Sequence, residues 1–125
     1  MSRLMAVAAL SVVCAALASC NPVAPRGCTQ IGCSSGLRVE LDGTPTAPFT
    51  VTATAGAASV SISCEQATPC VLFFEDFTPS QVSISYQSGD QVVQETFSPS
   101  YARSRPNGED CPPECLNGAV VLELP

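Results

Sequence analysis

The chain has 125 residues, with 11 acidic residues against 5 arginines, and no lysine, histidine or tryptophan. So few cations cannot neutralise a run of phosphates, which excludes nucleic acid as a partner and attachment to anionic headgroups through a basic patch. The lack of histidine removes the commonest general base, and the regularly spaced Val, Ile, Leu and Phe with little charge exclude a disordered chain.

Met1-Ser2-Arg3 supplies a positive start, and Leu4 to Ala18 is apolar except for Ser11. A spanning helix needs about 20 apolar residues, so this shorter run, ending in small residues and then Asn21-Pro22, reads as a secretory signal peptide. Ala16-Leu17-Ala18 is a small-x-small site for an ordinary signal peptidase. Cleavage there leaves seven cysteines from Cys20 onward, an odd count that strands one thiol in an exported protein. With Cys20 set aside, six remain: Cys28, Cys33, Cys64, Cys70, Cys111 and Cys115.

Leu17-Ala18-Ser19-Cys20 resembles the lipobox of bacterial lipoproteins. That resemblance implies cleavage after residue 19, a diacylglyceryl thioether on Cys20 and a further acyl chain on its amine. One acyl chain holds a protein marginally, at about 0.8 kcal/mol per buried methylene, whereas two or three anchor it stably. Asn21 stands where the enteric lipoproteins that this motif resembles carry an inner-membrane retention Asp, so the resemblance implies an outer-membrane location. The expected organisation is a cleaved signal peptide over 1–19, a lipidated N-terminus and tether over 20–27, and one domain over 28–125. Removing 19 of the 125 residues leaves 106, enough for one modest core. The two prolines of the tether keep it extended, and seven residues at about 3.3 Å each reach roughly 23 Å.

The remainder reads as β-structure. Leu37, Val39 and Leu41 alternate with Arg38, Glu40 and Asp42 before Gly43-Thr44-Pro45 breaks the run. Phe49, Val51 and Ala53 alternate with threonines, and Val60, Ile62 and Cys64 with serines. Cys70 to Phe74 is apolar without alternation, the pattern of a strand covered on both sides. Val82, Ile84 and Tyr86 alternate with Ser83, Ser85 and Gln87, then Ser88-Gly89-Asp90 turns the chain into 91–97. Val120, Leu122 and Leu124 form the last run. Seven short runs separated by turn residues, with no 3.6-residue period, predict a disulfide-stabilised antiparallel β-sandwich. Immunoglobulin-like, fibronectin-like and transthyretin-like topologies all suit seven strands, although the Cys and Trp spacing of a true immunoglobulin domain is absent.

The six cysteines fall into three close pairs, and export favours their oxidation. Cys64 and Cys70 flank a short turn between two strands, so a hairpin-closing bond is natural there. Local pairing of Cys28 with Cys33 and of Cys111 with Cys115 is the expectation, the alternative being a crossing of Cys28 or Cys33 to Cys111 or Cys115. None of the spacings is C-x2-C, no histidine is available and the compartment is oxidising, so no metal is expected. The segments 28–37 and 106–115 resemble those of uncharacterised bacterial lipoproteins with a small, Cys-rich β-sandwich, which implies fold and location but no activity.

Catalytic constellations are absent from the pattern. Glu75 and Asp76 adjoin at a strand end, where neighbouring side chains point to opposite faces and do not converge. The richest polar stretch is Tyr101 to Glu114, read as a long loop carrying Arg103, Arg105, Asn107, Glu109, Asp110 and Glu114. Long loops on a rigid β-frame are where recognition is built, so these six residues are the candidate recognition site. The expected function is a membrane-anchored, non-enzymatic envelope lipoprotein that binds, adheres or assembles, with no cofactor and with an envelope protein or glycan as partner. The alternatives are an envelope enzyme with loop carboxylates and a disulfide-rigidified protease inhibitor baited by Arg103-Ser104-Arg105.

Overall fold

A computed structural model describes residues 27–125; the signal segment, Cys20 and all of the tether before Gly27 lie outside the described residues. Eight strands follow in order: β1 (Gly36–Asp42), β2 (Phe49–Ala55), β3 (Ala58–Cys64), β4 (Phe73–Glu75), β5 (Val82–Ser88), β6 (Gln91–Phe97), β7 (Tyr101–Ser104) and β8 (Cys115–Glu123). They form two four-stranded sheets, ordered β4-β1-β8-β7 and β3-β2-β5-β6, which pack as a sandwich. In an immunoglobulin constant domain the first, second, fourth and fifth strands share a sheet; here the first and fourth are separated from the second and fifth.

The alternation seen in the sequence builds the core. Phe49, Val51 and Ala53 of β2 and Val82, Ile84 and Tyr86 of β5 face Leu37 and Val39 of β1 and Val120 and Leu122 of β8, all buried. Each fully buried Val, Leu, Ile or Phe contributes about 1.5–3 kcal/mol relative to exposure. Tyr86 is buried with its hydroxyl satisfied, accepting from the Thr46 amide at 2.9 Å, while its ring lies 5.3 Å from that of Phe49. The β2–β3 and β5–β6 hairpins each turn on two residues, with Gly56 (φ 58°) and Gly89 (φ 56°) first in the turn. A positive φ at that position belongs to the II′ turn, whose twist matches the strands it joins.

Four details depart from the sequence reading. The strands number eight, because β7 lies within the stretch read as a loop: Tyr-Ala-Arg-Ser has no apolar alternation to announce it. The last strand begins at Cys115 rather than Val120. β1 and β8 pair in parallel within an otherwise antiparallel frame, a long-range choice that local periodicity does not encode. The 70–74 run is not covered on both sides, since Leu72 and Phe74 are buried while Val71 is 72% exposed, and only Phe73–Glu75 is strand.

Gly36 sits where β4 crosses closest to β1. A Cβ there would meet the Phe74 carbonyl oxygen and lie 2.5 Å from the Phe73 ring. Gly36→Ala is therefore expected to lower stability by about 1–3 kcal/mol through overpacking, whereas Gly32→Ala, in open space, stays within about 0.5 kcal/mol of wild type. Denaturant unfolding of the disulfide-intact proteins measures both.

Candidate functional site

Because β1 and β8 run parallel, their beginnings lie side by side, with Gly36 opposite Asn117. The segment 28–35 approaches this end along the 105–115 loop, and Leu116 N–H donates to Ser35 Oγ at 3.0 Å. Two disulfides join them: Cys28–Cys111, with Cα atoms 5.6 Å apart, and Cys33–Cys115, with Cα atoms 6.1 Å apart. The expected local pairing of these four cysteines is thus corrected to the crossed one, because the parallel β1–β8 ladder brings both pairs to one place. Cys64–Cys70 is local, as expected, and bridges the end of β3 to the segment before β4. In the chain-entropy account the first crossed bridge closes 83 residues and contributes about 4.5 kcal/mol, more than twice what a six-residue loop gives.

Asn107 pins the two segments between the bridges. It is buried, and its carboxamide makes four hydrogen bonds. Oδ1 accepts from Thr29 Oγ1 at 2.6 Å and from Ile31 N–H at 2.8 Å; Nδ2 donates to Ile31 O at 2.8 Å and to Pro112 O at 2.7 Å. Pairing both Ile31 backbone groups mimics one rung of a β-ladder, which serine, aspartate or alanine cannot reproduce. Among the six candidate residues, Asn107 is therefore a structural pin. Thr29, Ile31 and Ser35, which complete this end of the molecule, were not singled out by the sequence, where Asn107-Gly108 signals only a turn.

The charged candidates are drawn to Glu114. Its Oε1 lies 2.6 Å from Arg103 Nε and its Oε2 2.9 Å from Arg105 Nη2, and Arg105 Nη1 also donates to the Glu109 carbonyl at 2.7 Å. The Glu109 carboxylate is more distant, 3.8 Å from Arg105 Nη1, and Asp110 is exposed beside it. Such partly exposed pairs contribute about 0–1 kcal/mol each, so they shape the loop more than they stabilise it. Their oxygens point at guanidinium groups and amides rather than at a common centre, and among the described residues no cluster of three metal-ligating side chains occurs. Arg103 and Ser104 lie within the β7–β8 ladder, opposite Leu116 and Cys115, and Arg105 follows the end of β7.

Several clefts open on the surface, among them two beside Arg105 and Glu109 of the candidate loop, and two more flank β1 and the stapled end. One, of 470 Å³, follows the margin of β1 beyond β4 and is lined by Glu40, Leu41, Pro45, Ala67, Cys70 and Val71, among others. The other, of 370 Å³, lies at the stapled end against Ile31, Gly32, Pro112 and Pro113. Glu75 and Asp76 lie in neither; Asp76 adopts φ 55°, ending β4, and its amide donates to the Ser35 carbonyl at 2.9 Å.

Trypsin acting after Arg26, Arg38 and Arg103 releases 27–38, 39–103 and 104–125. Without reductant, 27–38 and 104–125 should remain joined and separate on reduction; recovery of the two as independent peptides before reduction would overturn the crossed pairing. Asn107→Ala orphans both Ile31 backbone groups and is expected to cost about 2–3 kcal/mol, against less than about 1 kcal/mol for Arg103→Ala, by denaturant unfolding.

Comparisons with protein-family models, with curated proteins and with solved structures found no match to this chain.

Proposed function

We propose that this protein is a lipoprotein of the bacterial cell envelope, held to the outer membrane through lipid on Cys20, whose β-sandwich acts as a non-enzymatic binding or assembly module. The crossed staple is the observation that carries this reading. A domain tethered through its N-terminal residues must transmit any pull on the tether to its core. Here residues 28 and 33 are bonded to the loop before β8 and to the first residue of β8, a central strand of its sheet. Tension on the tether thus acts across covalent bonds and the Asn107 pin before it can peel β1.

This arrangement also orients the domain. The 105–114 loop lies at the tethered end, within the roughly 23 Å reach of an extended seven-residue linker. The cleft along β1, with exposed Val71 on its rim, lies further along the sandwich. An envelope protein or glycan chain approaching from the periplasm meets that cleft more readily than the stapled loop. The loop's role in this reading is to set orientation, its arginines being occupied by Glu114.

Mass analysis of the mature N-terminus tests the anchor. The expected product begins at Cys20 with three acyl chains, and Cys20→Ser should move the protein from the membrane to the soluble fraction; an unmodified chain beginning at Ser19 refutes the proposal. For the binding role, a photoreactive residue in place of Val71 should cross-link a defined envelope partner in intact cells, and the same residue in place of Asp110 should not.

A further inference from the structure

Four strands lie at sheet edges: β4 and β7 in one sheet, β3 and β6 in the other. Three are guarded against adding a further strand. β4 has three residues and stops at Asp76 with its positive φ. β7 has four, carries Arg103 and runs towards Pro106. β6 places Glu95 on the core-facing side, opposite buried Ile84. β3 is different. Its seven residues, Ala58-Ser-Val-Ser-Ile-Ser-Cys64, include no charge and no proline and pair with β2 residue for residue without a bulge.

The open side of β3 can be assigned. In a two-residue turn the flanking residues, Ala55 and Ala58, bond to each other, so the backbone groups of residues 58, 60, 62 and 64 face β2. Those of Ser59, Ser61 and Ser63 then face outward, three N–H and three C=O groups without a strand partner among the described residues. On the core side of the same strand, Val60 is 42% exposed and Ile62 only half-buried, because no strand beyond β3 covers them.

We infer that β3 is a self-association edge, pairing antiparallel with β3 of a second copy about a two-fold axis at Ser61. The sequence is self-complementary about that residue. Ser61 meets the partner's Ser61, Val60 meets the partner's Ile62, Ser59 meets the partner's Ser63, and Ala58 meets the partner's Cys64. All six outward backbone groups are then bonded, and each half-exposed apolar side chain gains an apolar neighbour. A shift by one residue would put serines against the apolar row, and a shift by two would leave an outward serine of each copy beyond the overlap, so the centred register bonds the most groups. The outer-face hydroxyls of β3 already bond across to β2, Thr52 to Ser61 at 2.8 Å and Thr50 to Ser63 at 3.1 Å, and pairing extends this uncharged face into an eight-stranded sheet. A second copy is the fitting occupant on charge grounds. The chain carries a net charge of −6, and copies repel wherever their carboxylates face, yet this edge brings none together: the nearest, Glu65, would lie opposite the partner's Ala57.

The proposal does not rest on lipidation and is tested on the unlipidated, disulfide-intact chain from Asn21 to Pro125. Sedimentation equilibrium should show a reversible dimer with Kd of about 10 μM, the weak end for specific interfaces. Ser61→Lys places two like charges face to face and should raise Kd at least tenfold, with circular dichroism and melting temperature of the monomer unchanged. In an antiparallel hydrogen-bonded pair the Cα atoms lie about 5.5 Å apart, within disulfide reach. Ser61→Cys should therefore form a covalent dimer on mild oxidation at least tenfold faster than Ser59→Cys. A wild-type chain that stays monomeric at 1 mM overturns the inference, as does a dimer indifferent to Ser61→Lys or equal cross-linking at both positions.

Discussion

Two disulfides clamp the start of the first described strand to the start of the last, covalently locking the parallel β1–β8 register that brings their cysteines together. A parallel pair between β1 and β8 must bring together residues about eighty apart in sequence, so most of its cost is loop closure. Cys28–Cys111 and Cys33–Cys115 remove much of that freedom from the unfolded chain, and Asn107 then fixes the geometry between them through four hydrogen bonds. With the beginnings aligned, Gly36 opposite Asn117 and Leu41 opposite Leu122 follow, and the apolar row of both strands turns to the same face. The ladder continues to its far end, where Leu124 N–H donates to the Asp42 carbonyl at 2.7 Å.

The clamp also divides the molecule by charge. Its sheet carries Arg38, Glu40, Asp42, Glu75, Arg103 and Glu123, and the loop it fixes gathers Arg105, Glu109, Asp110 and Glu114. The outer face of the other sheet is built from threonines of β2, serines of β3 and β5, and Gln87, Val92, Gln94 and Thr96, with no ionisable group. Cross-strand hydroxyl pairs, such as Thr54 with Ser59, and the Gln94 amide on Ser83 at 2.9 Å satisfy one another along that face. A neutral, mutually bonded surface costs less to strip of water than a charged one, and it ends at the one described edge strand that lacks a guard. The clamp and the unguarded edge thus belong to different sheets.

Legibility from the sequence varied with the range of the interaction concerned. Strands β2 and β5 were readable because their apolar residues are buried in strict alternation and β1 because Leu37 and Val39 alternate with exposed Arg38 and Glu40, whereas β6, which buries no residue, was announced only by the Ser88-Gly89-Asp90 turn before it. β7 was not, since an edge strand that buries only half of Tyr101 carries no periodic signal. The candidate loop was recognised by its polarity, but polarity does not separate a residue that waits for a ligand from one that pins the fold. Asn107 and Glu114 are the second kind: one is consumed by backbone groups 76 residues away, the other by two arginines on its own hairpin. The bridge at Cys64 and Cys70 was legible as a neighbourly contact, while the other four cysteines were read as two neighbourly pairs and are in fact exchanged.

The amino-acid sequence by itself determined the β-class, the alternation that makes two dry sheet faces, the turn positions and three close pairs of oxidisable cysteines between residues 28 and 115. These are properties of residues within a few positions of one another, set by side-chain period and backbone preference. Which strands became neighbours, that β1 and β8 run the same way, and hence which cysteines meet, was decided only in the tertiary structure. The physical reason is that pairing direction depends on burying both sheets' apolar rows against each other at once, a condition on the whole chain that no local stretch contains.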